Sequence, residues 1–532
     1  AYIIETFKDI RMVGAPPSSI GKFGSDTDNW VFPRHTGDFA MFRIYADKNN
    51  KPAEYSKDNV PYKPKHFLPV SIKDKKEGDF TFVFGFPGRT TEYLPSVAVE
   101  KIRSEIDPAM IDVRDVALKT LDEKMRTDQA TKIKYASKYA GVANYWKKWK
   151  GEVEGLTKSD AVGKKQRYEQ SLIAKNPEVK TTIDEFNRLY TEQAPYALSR
   201  AYYSEVIRNA ETLMLANLYY NYIAAVEAGR MDEKGTAALK TRLTSFYKDY
   251  NAELDAKVTA KLLALYANKT DAQFLPAGFE KYKNEAQNIQ VIEEASKNSI
   301  ISGRTEVNGA SLSKDIEKAF SNHDKLIKTL KKDPVFQIFT EMRNTYMTKA
   351  DPQFMSLQTK IDALQKTYMA QQMATDKDRK FFPDANSTMR VTYGKVKGYA
   401  PADAVYYSPV TYLEGVMEKY IPGDYEFDVP KKLIDLYDKK DFGQYKDKTG
   451  DVPVGFTATN HTTGGNSGSP ALDAYGNLVG LNFDRQWEGT MSDINYDPRF
   501  SRNIMVDTKY ILFIVDKYAD AKWLLNEMKI VK

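Results

Sequence analysis

The chain has 532 residues, 78 basic against 72 acidic, and a net charge of +6. That length argues for two or three domains, and the balanced charge argues against a nucleic-acid footprint. With no cysteine, thiolate metal sites, disulfides and a cysteine nucleophile are excluded within the chain.

In chain order, residues 1 to about 90 read as strands and turns. Ala1-Tyr2-Ile3-Ile4 opens without a signal-peptide pattern and reads as strand. Asp38 to Tyr45 alternates in part. In Phe80-Thr81-Phe82-Val83-Phe84-Gly85-Phe86 the phenylalanines fall at every second position, which puts them on one face, read here as core. Residues 91–385 read as helical. Asp107-Pro108 reads as an N-cap with proline at the first helical position. Helices are predicted over 109–127, 129–150, 178–229, 236–267, 312–332 and 335–375. The tyrosines at 202, 203, 219, 220 and 222 read as helix-packing core. Strand patterns return at 389–396, 454–459 and 478–484, and a last helix is predicted over 508–529. The fold class is therefore α+β: a β domain from 1–90 and 386–532, interrupted by a helical domain over 91–385. No run of 18 apolar residues occurs, so no membrane span is expected.

The segment Thr462-Thr463-Gly464-Gly465-Asn466-Ser467-Gly468-Ser469-Pro470 carries the chemistry. Glycines let the backbone turn tightly and aim N–H groups inward, forming an oxyanion hole beside a serine nucleophile. This looks like the nucleophile loop of a chymotrypsin-type serine peptidase; a Gly/Ser turn between strands is the plainer reading. Asp38, in Pro33-Arg34-His35-Thr36-Gly37-Asp38-Phe39, is a candidate acid for orienting a base, or else a turn-capping residue. The four histidines, His35, His66, His323 and His461, show no metal-ligand spacing, and neither metal nor organic cofactor is expected.

These segments, with Asn29-Trp30, Gly85-Phe86-Pro87-Gly88-Arg89-Thr90 and Gly480-Leu481-Asn482-Phe483-Asp484-Arg485, resemble the S46 family of bacterial dipeptidyl-peptidases, most closely its Asp/Glu-specific type. The resemblance covers nearly the whole chain. It implies a chymotrypsin-like double β-barrel with an all-helical insertion, and a serine exopeptidase that removes dipeptides from free N-termini. It implies Ser467 as nucleophile, Asp38 as triad acid, and Gly465 and Ser467 as oxyanion donors. Asn29, Trp30 and Asp484 match positions that hold the substrate α-amine, and Asn144 matches a further contact from the helical domain. Apart from the resemblance, Asp484 reads as a surface carboxylate at a strand end. Trp30 then reads as a core aromatic, and Asn29 and Asn144 as turn or helix-surface amides.

Arg485 lies 18 residues after Ser467, on the strand expected to line the primary side-chain pocket. A guanidinium there can pair bidentately with an acidic second residue of the substrate. An outward-facing arginine near Trp487 would leave the pocket to apolar side chains. The family's triad histidine lies upstream of the acid, and none of the four histidines matches its motif. The expectation is a C-terminal portion of a longer enzyme, completed by a separate upstream piece or inactive without it; a peptide-binding protein without turnover is the third reading. The resemblance also implies oligopeptide substrates, a homodimer and a periplasmic location.

Overall fold

The computed structural model describes residues 4–302 and 309–532; the predicted strand start at Ala1-Tyr2-Ile3 lies outside them. The chain folds as two compact units, one running up to Tyr93 and resuming over Phe382–Lys532, the other Leu94–Phe381. The first is built on strands. Its smaller sheet joins β1 (Ile10–Gly14), β2 (Met41–Ala46) and β3 (Val60–Pro61) in that order. Ile4, in the stretch read from sequence as strand, is irregular instead, as is the chain up to Asp9.

The larger sheet contains β4 (Val70–Ser71), β5 (Phe80–Gly85), β6 (Arg390–Lys395), β9 (Val410–Tyr412) and β10 (Pro453–Ala458), then β11 (Ser469–Leu472), β12 (Leu478–Arg485), β13 (Asn503–Asp507) and β14 (Ile530–Val531). A separate hairpin pairs β7 (Tyr399–Ala402) with β8 (Val405–Tyr407). The order is β6-β5-β11-β12-β13-β10-β9, with β4 pairing in parallel with β12 and β14. The antiparallel run curls until its ends meet. Val396 bridges Ala458, Thr459 N–H donates to Lys395 O at 3.0 Å, and Lys397 N–H donates to Thr457 O at 3.2 Å. Inside lie Val83, Val396, Phe456, Ala458, Ala471, Val479 and Met505.

The alternating phenylalanines of β5 face the other way from the expected core. Val83 is buried completely, whereas Phe80 and Phe86 are 42% and 60% exposed. The interior face must be small. A Cβ on Gly85 would stand 2.1 Å from Ser469 Oγ, and Thr81 Oγ1 donates to Asn460 Oδ1 at 2.8 Å. Alternation gave the period of this strand, but these close approaches decide which face is inside.

The second unit is helical. Its core gathers Val113, Tyr202, Tyr219, Tyr222, Leu243, Tyr266 and Phe339, with Tyr203 and Tyr220 packed against it. The long spans predicted from apolar periodicity are interrupted. Residues 178–229 divide into Glu178–Asn209 and Glu211–Glu227, because Ala210 is extended (φ −95°, ψ 105°). No proline or glycine marks the break. The buried carboxylate of Asp255 accepts from Glu211 N–H and Thr212 N–H, both at 2.8 Å, and so caps the second helix from a distant one. Residues 236–267 likewise form Glu233–Lys248 and Ala252–Lys269, the latter capped by Asn251. Gly309–Phe320 and His323–Leu330 replace the span 312–332. Over 335–375 the chain stays helical through a π turn at Tyr346–Ala350. Asp107 is not an N-cap: it is already helical (φ −61°, ψ −45°), continuing from Ser96–Lys101 through another π turn. The helix expected over 508–529 is three short pieces, Thr508–Phe513, Ile514–Tyr518 and Lys522–Glu527. No helix among the described residues is long and apolar enough to cross a membrane.

Candidate active site

The loop before β11 is held by its own amides. Thr463 N–H donates to Asn466 Oδ1 at 3.0 Å, Asn466 N–H to Thr463 O at 3.0 Å, and Ser469 N–H to Asn466 O at 2.9 Å. Gly465 and Gly468 take φ of +105° and +80°, a region open at low cost only to glycine. At Gly465 a Cβ would also stand 2.4 Å from Phe86 O. The loop is tied to β12 through Gly468 N–H to Asn482 O at 2.8 Å and Asn482 Nδ2 to Asn466 O at 3.3 Å. Ser467 is left exposed at the tip, its Oγ 3.5 Å from Phe483 O, a weak contact at best. Among the described residues, neither Gly465 N–H nor Ser467 N–H donates to a backbone carbonyl.

Next along β12 stand Asp484 and Arg485, each engaged inside the protein. Asp484 Oδ2 accepts from Arg34 Nη1 at 2.8 Å and from Trp30 N–H at 3.2 Å, while its Oδ1 accepts from Arg485 N–H at 2.8 Å. Arg34 is buried and also donates to Asp28 O at 2.7 Å and Thr36 Oγ1 at 2.6 Å. Trp30 sits at φ +63°, a left-handed conformation that costs energy for a bulky residue and is held partly by its bond to Asp484. Asn29 precedes it in the same turn, its N–H donating to Asp26 O at 3.3 Å.

Arg485 points inward, so the outward-facing reading does not hold: its residue is 5% exposed. Nη1 donates to Asp493 Oδ1 and Ser492 Oγ, both at 2.7 Å, and Nη2 to Asp493 Oδ2 at 3.2 Å. The Trp30 ring lies 5.5 Å from the guanidinium carbon. Sequence reasoning missed Arg34, Ser492 and Asp493. Arg34 is remote in sequence from its partner Asp484, and Ser492 and Asp493 lie in the short 3₁₀ segment Trp487–Asp493; only the unbalanced charges of Asp484 and Arg485 hinted that counter-ions must exist.

Asp38 lies in the loop before β2 rather than at the strand's first residue. Crowding raises its carboxyl above the ordinary aspartate range; Asp484 adds to the rise, whereas Arg34 and Lys22 oppose it. Asp38 is nonetheless exposed, so this desolvation is partial. Among the described residues, no histidine hydrogen-bonds Ser467 or Asp38. His35 is buried, its Nδ1 unpartnered, and burial, then Lys419 and Arg34, push it down to about 3. His461 Nε2 pairs with Ser492 O at 2.6 Å, and burial lowers it too. His66 is exposed in a loop, and His323 pairs with Tyr222 in the helical unit. Asn144 is half-buried on the helix Gln129–Lys158 of that unit.

An exposed serine on a glycine-shaped loop, beside a strand end carrying a half-buried carboxylate and a buried guanidinium, suits nucleophilic attack on a substrate read through charged groups. The chain belongs to the peptidase S46 family, whose pattern matches residues 1–530. It is 53% identical to an Asp/Glu-specific dipeptidyl-peptidase of Flavobacterium psychrophilum, over 100% of this chain and 74% of that one. A protein of the same description from Capnocytophaga gingivalis is 51% identical over the same shares. Dipeptidyl-peptidase 7 of Phocaeicola vulgatus is 37% identical over 99% of this chain and 73% of its own. Among solved structures, Porphyromonas endodontalis DPP11 in complex with the dipeptide Arg-Glu matches with a TM-score of 0.84 and 34% identity. That match covers 99% of this chain and 75% of the other.

Proposed function

We propose that the protein is a serine exopeptidase that releases N-terminal dipeptides whose second residue is Asp or Glu. The observation that carries this reading is the placement of Ser467 Oγ beside Phe483 O, one residue from Asp484 and two from the buried Arg485. Ser467 attacks the second carbonyl carbon, and Gly465 and Ser467 N–H groups stabilise the oxyanion. Asp484, with Asn29 and Trp30, holds the free ammonium, which stops the substrate after two residues. Asn144 adds a contact to the substrate. Arg485 takes the acidic side chain. Asp38 orients the histidine base of the triad.

The return of the larger sheet at Val396 and Ala458 supports one barrel of a chymotrypsin-like double-barrel domain. Oligopeptides with free N-termini are the substrates, and the dipeptide-bound relative supports this. A periplasmic location and a homodimer complete the reading.

One observation favours a second reading, an apolar second residue: the Arg485 guanidinium already carries a counter-ion. Release of a reporter from Leu-Asp, Leu-Leu and N-acetyl-Leu-Asp amides by the native protein, with Ser467→Ala as control, decides between them. Cleavage of free-amine Leu-Asp alone, lost in the control, is expected. Preferential cleavage of Leu-Leu would establish the second reading instead.

A further inference from the structure

Arg485 and Asp493 form a largely enclosed charge pair at the site, and they are not equally enclosed. The arginine side chain is 6% exposed and the aspartate 17%. The carboxylate is therefore the solvent-side partner, and an anion arriving from outside meets it at the guanidinium. The pair has bidentate geometry, the arrangement a substrate carboxylate would take. Asp493 is fixed from behind: its carbonyl accepts from Thr91 N–H at 2.7 Å, and its neighbour Ser492 is held by His461 and gives its Oγ to the same guanidinium.

We infer that Asp493 is a resident counter-ion that sets the selectivity of the Arg485 pocket. It stands in for the acidic side chain of the substrate when none is bound. The inference rests on the proposed function, since it takes Arg485 as the acid-reading group. Two consequences follow from charge alone. An acidic side chain must share or displace Asp493, so the carboxylate already present weakens its binding. A neutral side chain enters beside a guanidinium that keeps its partner, so the pocket is spared an unpaired buried cation and tolerates neutral residues better. Asp493 thus lowers discrimination at both ends. It also ensures that the empty pocket does not hold a bare charge in a low-dielectric wall.

The test is dipeptide binding, which needs no catalytic base. Titration calorimetry with Leu-Asp and Leu-Leu is run on the full chain, on Asp493→Asn and on Arg485→Ala. Asparagine keeps the size and one acceptor oxygen but removes the charge. Asp493→Ser repeats the charge removal with a smaller side chain, should the amide fail to fit. The expected result is that Asp493→Asn binds Leu-Asp about tenfold more tightly and Leu-Leu no better than the parent. The preference for acid widens accordingly. Unchanged or weaker Leu-Asp binding in both Asp493 variants, with the parent preferring Leu-Asp and Arg485→Ala losing that preference, overturns the inference and leaves the functional reading standing. A parent that shows no preference for Leu-Asp, with Arg485→Ala equal to it, overturns the functional reading and the inference together.

Discussion

The two sheets of the strand-rich unit treat their apolar residues in opposite ways. In the larger sheet, every residue of β10 and of β13 is buried, and Phe456 is wholly inside. In the smaller sheet, Ile10 pairs with Ile44 and Met12 with Phe42, so four apolar side chains share one face. That face is open among the described residues: Ile10 is 53% exposed, Met12 64%, Phe42 61% and Ile44 39%. One sheet curls back on itself, whereas the other presents a strip of the kind normally covered by further strands. The site follows the same division. Ser467, Asp484 and Arg485 stand on the closed sheet or its loop, Ser467 on a loop tied to β12 and the two charged residues bonded into a network. Asp38, by contrast, stands in the loop leading into the open sheet, and no hydrogen bond to a described residue holds its carboxylate. The proposed nucleophile and specificity groups are pre-organised by packing, but the proposed triad acid is not.

The largest expected effect comes from breaking the closed sheet. Phe456→Ala leaves a cavity in its centre and should cost about 3–5 kcal/mol of stability, read as a lowered urea midpoint of the chain. An effect below about 1 kcal/mol would mean that the interior collapses onto the gap, against the close packing described.

The next test concerns the acid limb of stability. His35 is held neutral in the fold, down to about 3 from an ordinary 6.5. The unfolded chain binds that proton more readily. The stability His35 contributes is therefore complete above pH 6.5 and is lost as pH falls from there toward 3, at up to about 1.4 kcal/mol per pH unit. His35→Gln should flatten the fall in unfolding free energy between those limits. An unchanged acid limb would show that His35 is solvated.

Smaller again is the effect of adding one methyl to the serine loop. Gly465→Ala forces an L-residue into φ +105° and a Cβ against Phe86 O. The loop should lose about 1–3 kcal/mol of local stability. On the proposed role of the Gly465 amide as an oxyanion donor, turnover by the native protein should fall more than peptide binding does, because the oxyanion forms only in the transition state. An equal fall in both would assign Gly465 to substrate binding alone.

How much of this was legible in the sequence depends on the range of the interactions that decide it. Periodicity located β5, β6, β10 and β12 and the interiors of the long helices, since those signals are local. It could not place the break at Ala210, which is made by a carboxylate 45 residues away. Nor could it orient the Phe80–Phe86 alternation, because a period of two names two faces without saying which one is small. Ser467, Asp484 and Arg485 stood out through glycine context and charge. Arg34 stood within the Pro33–Phe39 motif, but nothing local told that it pairs with Asp484 across 450 positions, and Asp493, in a 3₁₀ segment, carries no motif of its own.

The smallest expected effect is the one that most sharpens the contrast between the sheets. Met12→Lys and Phe42→Ser put polar groups on the open face, where the apolar originals already meet water. Transfer free energy scales with area removed from water, and these side chains have kept most of theirs. Each change should therefore move the stability of the 532-residue chain by no more than about 0.5 kcal/mol, by the same urea midpoint used for Phe456→Ala. Solubility should rise, because a flat apolar strip beside strand edges invites association. A loss as large as that of Phe456→Ala would show that the strip is covered in solution, by a second copy or by another part of the chain. Concentration dependence of the loss separates those two, since only an intermolecular cover weakens on dilution.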